Sequence, residues 1–129
     1  MTKDELVHVD LADDERILLL TGLMEYGGPA AGAAVLPPIV GTNSVDEFFQ
    51  LTDRLSAAIK NDQALSDIDW ARALVLTEIC WASDLLGAAS EFGTNLPDER
   101  ALPALRSLQR KLVTGERVRA LISLEQPPN

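Results

Sequence analysis

The alternation of hydrophobic and polar residues predicts a chain made mainly of helices. The clearest pattern covers residues 45–61, where Ser44 and Glu47 have the spacing of a capping box. Apolar residues then recur every three or four positions, with charged residues on the opposite side, which is typical of a surface helix over a core. The apolar face consists of Val45, Phe48, Phe49, Leu51, Leu55, Ala58 and Ile59.

Two more helices are predicted on either side of this segment. Residues 13–26 begin with three acidic residues, which favour a helix N-terminus, and Gly27 is available as a left-handed C-terminal cap. A longer helix is predicted from Ser66 to Phe92, with a hydrophobic staple between Leu65 and Trp70 at its start. Because this segment is the most hydrophobic of all, we expect it to form the centre of a bundle.

The remaining segments give weaker patterns. Pro103 lacks a backbone N–H, so we expect a break or kink there, followed by a fourth helix over residues 103–113. Residues 27–41 are rich in Gly, Ala and Pro, and we expect a packed loop with a short helix. Residues 7–11 alternate like a strand, whereas residues 118–124 fit either a strand or a helix.

These elements together predict an all-α fold in one domain spanning residues 1–129. The expected architecture is a compact bundle of four main helices with a central hydrophobic helix. If both chain ends are strands, they form a short two-stranded pairing beside the bundle.

Composition excludes several functional classes. The chain of 129 residues has one Cys and one His, so it cannot form a disulfide framework or a Cys/His zinc cluster. Its net charge of −9 repels phosphate backbones and anionic membranes, so we expect neither a nucleic-acid nor a membrane partner. The single cysteine, Cys80, and the charged first fifteen residues, which lack a secretory signal, predict a cytoplasmic location.

The charge is distributed unevenly along the chain. Residues 1–99 contain 5 basic and 18 acidic side chains, whereas residues 100–129 contain 6 basic and 2 acidic ones. The simplest interpretation is that the two regions pack side by side and pair their charges. A docking site for an acidic protein surface is the alternative for the basic residues.

Glu78 is the most unusual polar residue, because it lies within the apolar arc of the predicted central helix. An unpaired ionised carboxylate would be costly there. One interpretation is an internal contact, with Arg106, Arg110, Arg16, Tyr26 or His8 as candidate partners. The other is a ligand pocket lined by Glu78, Trp70, Trp81 and Tyr26.

We therefore expect a small acidic helical module that binds a basic protein, as an adaptor, inhibitor or immunity-type partner does. No catalysis is expected, and no catalytic residue, metal or cofactor is predicted, since no motif for them occurs. The alternatives are a small-molecule-binding protein or enzyme with a pocket around Glu78, Trp70 and Trp81, and a homo-oligomer. The candidate partner-binding residues are Asp13, Asp14, Glu15, Asp46, Glu47 and Asp53.

Overall fold

Four α-helices form the framework of the computed structural model, which describes residues 5–27, 32–83, 85–86, 96–113, 117 and 119. The predicted all-α fold of four main helices is confirmed. The helices are α1 (Asp13–Met24), α2 (Val45–Lys60), α3 (Asp67–Ala82) and α4 (Asp98–Leu112).

The starts of α2 and α3 follow the predicted capping residues. The hydroxyl of Ser44 accepts a hydrogen bond from the Glu47 N–H at 3.1 Å, and that of Ser66 accepts one from the Asp69 N–H at 3.3 Å. Each bond satisfies an N–H that has no partner within its helix. Local sequence therefore fixes where both helices begin.

Helix α1 packs against each of the other three helices, so it occupies the middle of the bundle. Its contacts with α2 are antiparallel, because Arg16 donates to the Ile59 carbonyl at one end and the Tyr26 and Phe48 rings meet at 5.4 Å at the other. The helix expected at the centre, α3, packs mainly on α1 and α4. The wide apolar arc of α1, which includes the buried Leu18 and Leu19, explains this position.

Two helix ends differ from the predictions. Helix α1 ends at Met24 and continues as a 3-10 turn through Gly27, whose φ is not in the left-handed region. Helix α3 ends at Ala82, ten residues before the expected end at Phe92, which lies outside the described residues. The Ser83 hydroxyl accepts hydrogen bonds from the Leu85 and Leu86 N–H groups, which turns the chain away from the helix.

Of the break or kink predicted at Pro103, the break is wrong, because α4 runs through Pro103 as one helix. The proline ring is exposed, so the Glu99 carbonyl that it leaves without a donor faces the solvent side of the helix. Buried residues on the opposite face hold the helix against the core. They include Ala101, Ala104, Leu105, Leu108 and Leu112.

The strand pairing involves a different partner from the one expected. β1 (Leu6–Val7) pairs antiparallel with β2 (Leu65–Ser66), the segment between α2 and α3. The Trp70 indole reinforces the pairing by donating to the Val7 carbonyl at 2.8 Å. Most of the C-terminal candidate strand, residues 118–124, lies outside the described residues.

The loop between α1 and α2 is packed, as predicted. It contains two 3-10 turns, Gly32–Ala34 and Pro37–Val40, and it buries Leu36 and Val40 completely. The proposed helix start at Pro29 lies outside the described residues. Within the part of the chain that the structure describes, no helix is long and apolar enough to cross a bilayer.

Candidate functional site

Three ion pairs join the basic C-terminal quarter to the acidic body. Arg100 contacts Asp14, Lys111 contacts Glu15 at 2.6 Å, and Arg117 contacts Asp67 at 2.8 Å. Each pair connects residues far apart in sequence, so the contacts tie α4 and the residues after it to α1 and α3. The uneven charge along the chain is thus partly balanced within the fold.

Arg117 has a structural role that the sequence interpretation missed. The residue is only 7% exposed, and its guanidinium donates to the Lys111 and Leu112 carbonyls at 3.1 Å each. These carbonyls are free at the C-terminus of α4, where a cation also complements the helix dipole. Arg117 therefore caps α4 while it binds Asp67 at the start of α3.

Glu15 was predicted on a partner-binding surface, but its side chain is only 2% exposed. Its Oε1 accepts hydrogen bonds from the Ala12 N–H at 2.7 Å and from Lys111 Nζ at 2.6 Å. Burial acts to raise the pKa of Glu15, but the contacts with Lys111, Ser107 and the Ala12 N–H outweigh it and lower the pKa. Glu15 is therefore ionised at neutral pH inside the protein.

Around this buried carboxylate, the N-termini of α1 and α4 form an acidic surface that we name the α1–α4 end. It consists of Asp13, Asp98 and Glu99, all exposed. No ion pair among the described residues involves any of the three. The neighbouring Asp14 is already bound to Arg100, and this contact holds the pKa of the Asp14 carboxyl below its ordinary value.

A groove of about 320 Å³ opens at the α1–α4 end. Its charged lining comes from Asp14, Glu15, Glu99 and Arg100. The rest of the lining is small or apolar, and it consists of Ala12, Pro103, Ala104 and Ser107. The buried Glu15 and the exposed Glu99 thus contribute to one concavity.

The other predicted acidic residues lie on a separate surface. Asp46, Glu47 and Asp53 are exposed on the outer face of α2. Since α1 and α2 are antiparallel, the first turn of α2 lies at the opposite end of the pair from Asp13, roughly 20 Å away along the axis. The six candidate partner-binding residues therefore do not form one continuous surface.

The α2 face also has cations beside it. Arg54 binds Asp69 through both of its terminal nitrogens, at 2.7 and 3.2 Å, and Arg72 binds the same carboxylate at 3.0 Å. Burial acts to raise the pKa of Asp69, but the two guanidinium groups outweigh it and lower the pKa. Arg54 and Arg72 line a second groove, also of about 320 Å³, together with Glu47.

Two of the candidate ligand-binding residues are part of the core. Tyr26 is 3% exposed and donates from its hydroxyl to the Leu76 carbonyl at 2.7 Å, and its burial raises the pKa of the phenol. Trp70 is 1% exposed, and its indole N–H binds the Val7 carbonyl. Trp81 is half-buried. None of these side chains lines the two grooves described above.

Glu78 makes an internal contact, but with a partner that was not among the candidates. Its Oε2 accepts a hydrogen bond from Gln109 Nε2 at 2.6 Å. The Oε1 of Gln109 in turn accepts one from Arg106 at 2.9 Å, so Arg106 acts on Glu78 only through the amide. Two other candidates, His8 and Arg16, both bind Asp62 instead.

The exposed carboxylates of the α1–α4 end can recognise a positive charge through hydrogen bonds and through their electrostatic field. The described residues contain no group of three or more His, Cys, Asp or Glu placed to hold a metal ion. The chain was also compared with known proteins. It matches no protein-family model, no curated protein and no solved structure.

Proposed function

We propose that this protein is a small acidic interaction module that binds a basic protein through the α1–α4 end. The observation that supports this most directly is that the nearby basic side chains are already bound to other carboxylates of the protein. Arg100 and Lys111 are bound to Asp14 and Glu15, which leaves Asp13, Asp98 and Glu99 exposed without an ion pair among the described residues. A basic partner would supply the missing charge.

Electrostatics favours such a partner over long distances as well. The chain carries a net charge of −9, which attracts a basic protein during diffusion and accelerates the encounter. This attraction is screened by salt, since the Debye length shortens from about 10 Å at 0.1 M to about 3 Å at 1 M. Binding that depends on the acidic surface must therefore weaken as salt is added.

The α1–α4 end is a better docking surface than the α2 face. Lys60 is exposed on α2 and takes part in no ion pair among the described residues, so its charge reduces the field of Asp53 on the same helix. At the α1–α4 end, the basic side chains in contact range are already paired. The internal contacts of Tyr26, Trp70 and Glu78 give no support to the alternative of a small-molecule pocket or an active site at these residues.

The proposal is tested with two matched triple variants. The first changes the α1–α4 end by Asp13→Asn, Asp98→Asn and Glu99→Gln, and the second changes the α2 face by Asp46→Asn, Glu47→Gln and Asp53→Asn. Both raise the net charge by the same amount, and both remove acidic residues from the first turn of a helix. Their small costs to helix stability are therefore comparable.

In the first step, the immobilised protein captures binding proteins from a cell extract at about 0.1 M and about 1 M salt. These two concentrations are chosen for their different screening lengths. The captured protein is then purified, and its association rate is measured with each variant. We expect a basic protein that binds only at the lower salt, with a slower association rate for the α1–α4 variant than for the α2 variant. No salt-sensitive partner, or equal loss in both variants, would refute the proposed docking surface.

A further inference from the structure

The outward face of α4 combines an acidic residue, an apolar centre and basic residues. Since successive residues turn by about 100°, a single arc of about 100° contains Glu99, Leu102, Pro103, Arg106 and Arg110. All five are exposed, and the buried residues of α4 lie on the opposite side of the helix. We infer that this face binds the same face of a second copy of the chain, with the two helices antiparallel about a two-fold axis.

The first observation is charge complementarity between the two ends of this face. Glu99 lies in the first turn of α4, whereas Arg106 and Arg110 lie towards its C-terminus. None of the three belongs to an ion pair among the described residues, and Arg106 donates only to the neutral amide of Gln109. In an antiparallel pair, the acidic end of each helix lies beside the basic end of the other. A second copy therefore supplies an opposite charge at both ends.

The spacing of these residues defines the register of the pair. Glu99 and Arg106 lie on either side of the midpoint between Leu102 and Pro103, each about 3.5 residues or about 5 Å from it along the helix axis. A two-fold axis through this midpoint places Glu99 of each copy opposite Arg106 of the other. Leu102 and Pro103 then meet the same two residues of the second copy, between the two ion pairs.

The centre of the face is apolar although it is open to solvent. Leu102 is 42% exposed, and Pro103 is exposed beside it. Proline inside a helix is unfavourable relative to alanine, and an exposed ring offsets little of this cost by packing within its own chain. Covering Leu102 and Pro103 with a second copy removes their apolar surface from water and favours association.

This inference goes beyond the proposed function, because it concerns the protein without its partner. A single helix face is smaller than the roughly 800 Å² that each partner buries in a stable interface, and both copies carry a net charge of −9. We therefore expect a weak dimer, with a dissociation constant on the order of 0.1 mM. Since Glu99 belongs to both surfaces, a second copy and a basic partner compete for this residue.

The oligomeric state of the protein tests the inference. Sedimentation equilibrium from about 10 μM to about 1 mM protein brackets the expected dissociation constant, and we expect the mass to rise from monomer towards dimer. Arg106→Glu makes both facing pairs repulsive and should weaken self-association about tenfold, because each exposed pair contributes a few-fold. Lys60→Glu on α2 is the matched control, since it changes the net charge equally at another exposed position. It should change the dissociation constant by less than about twofold at about 0.15 M salt.

A mixing experiment tests the antiparallel register. Glu99→Arg and Arg106→Glu should each self-associate more weakly than the wild type, because each variant brings like charges together. In an equimolar mixture, every facing pair of the mixed dimer joins opposite charges. The two variants should therefore bind each other at least about tenfold more tightly than either binds itself.

Three results would overturn the inference. These are a monomer over the whole concentration range, equal weakening by Lys60→Glu and Arg106→Glu, and a mixture that associates no better than its two components. The experiment requires no partner protein, so it is independent of the capture assay. A monomeric protein whose α1–α4 variant loses partner binding would support the docking surface and reject the self-association.

Discussion

Replacing Gly22 by alanine tests the closest approach between two helices of the bundle. A Cβ at this position would lie 2.7 Å from Thr77 Oγ1 and 2.8 Å from both Cγ2 and Cα of the same residue. The contact with Cα is decisive, because a backbone atom cannot move aside as a flexible side chain does. The separation of α1 and α3 would have to increase, although α1 is the helix that contacts all the others.

The size of the effect follows from two opposing terms. Overpacking a core typically costs about 1–3 kcal/mol, and we expect the upper end because three atoms are closer than 3.0 Å. Alanine is favoured over glycine within a helix by about 1 kcal/mol. The net loss of unfolding free energy is therefore about 2 kcal/mol, which lowers the melting temperature by about 8 °C for a domain of this size.

Urea denaturation of Gly22→Ala, with a thermal melt, provides the measurement. Gly27→Ala is the control, because nothing lies within 4 Å of a Cβ at that exposed position. We expect its stability to change by less than about 0.5 kcal/mol. Adding Thr77→Ala to Gly22→Ala removes two of the three clashing atoms. The double variant should therefore lose at least about 0.5 kcal/mol less unfolding free energy than the sum of the two single losses. A Gly22→Ala protein as stable as the wild type would refute the close packing of α1 on α3.

Three further predictions concern stability. Lys111→Met leaves Glu15 buried without its cation and should cost about 3 kcal/mol in urea denaturation at neutral pH, whereas exposed Arg110→Met should cost less than about 0.5 kcal/mol. Glu15 and Asp69 have pKa values below their ordinary 4.5 and 3.8. Their ionised forms therefore contribute fully to the unfolding free energy above those pH values, and this contribution is lost as the pH falls below them. The melting temperature, measured from pH 7 to pH 2, should therefore begin to fall once the pH is below about 4.5. The fall should be less steep in Asp69→Asn, and an equally steep fall would contradict a contribution of Asp69 to the pH dependence. Pro103→Ala restores the hydrogen bond to the Glu99 carbonyl and should raise the unfolding free energy by about 1–2 kcal/mol. This value already subtracts the entropy that proline removes from the unfolded chain. An unfolding free energy that is unchanged or lower would argue against a continuous α4.

Local signals in the sequence were sufficient to predict much of the framework. Ser44 and Ser66 mark the starts of α2 and α3 because a cap depends on residues only three positions apart. The apolar face of α2 also follows from sequence, since its period is that of a helix with one buried side. In the same way, the burial of Glu15 could have been inferred, because it shares a helical face with Leu18, Leu19 and Gly22.

Other features depend on contacts between distant elements. The partner of Glu78 is Gln109, a neutral residue that a search for opposite charges does not select. Strand β1 is two residues long, so its own pattern cannot identify Leu65 and Ser66 as the partner segment. The groove at the α1–α4 end arises only when α4 packs on α1, and no pattern within either helix predicts its shape.

The position of α1 has a consequence for folding during synthesis. This helix emerges from the ribosome before every other helix, yet its ion pairs with α4 join residues 86 and 96 positions apart in the sequence. Until the last helix emerges, the wide apolar arc of α1 lacks part of its cover. We therefore expect ribosome-bound nascent chains that end before α4 to remain accessible to chaperones and proteases, with native packing reached only after nearly the whole domain is outside the exit tunnel.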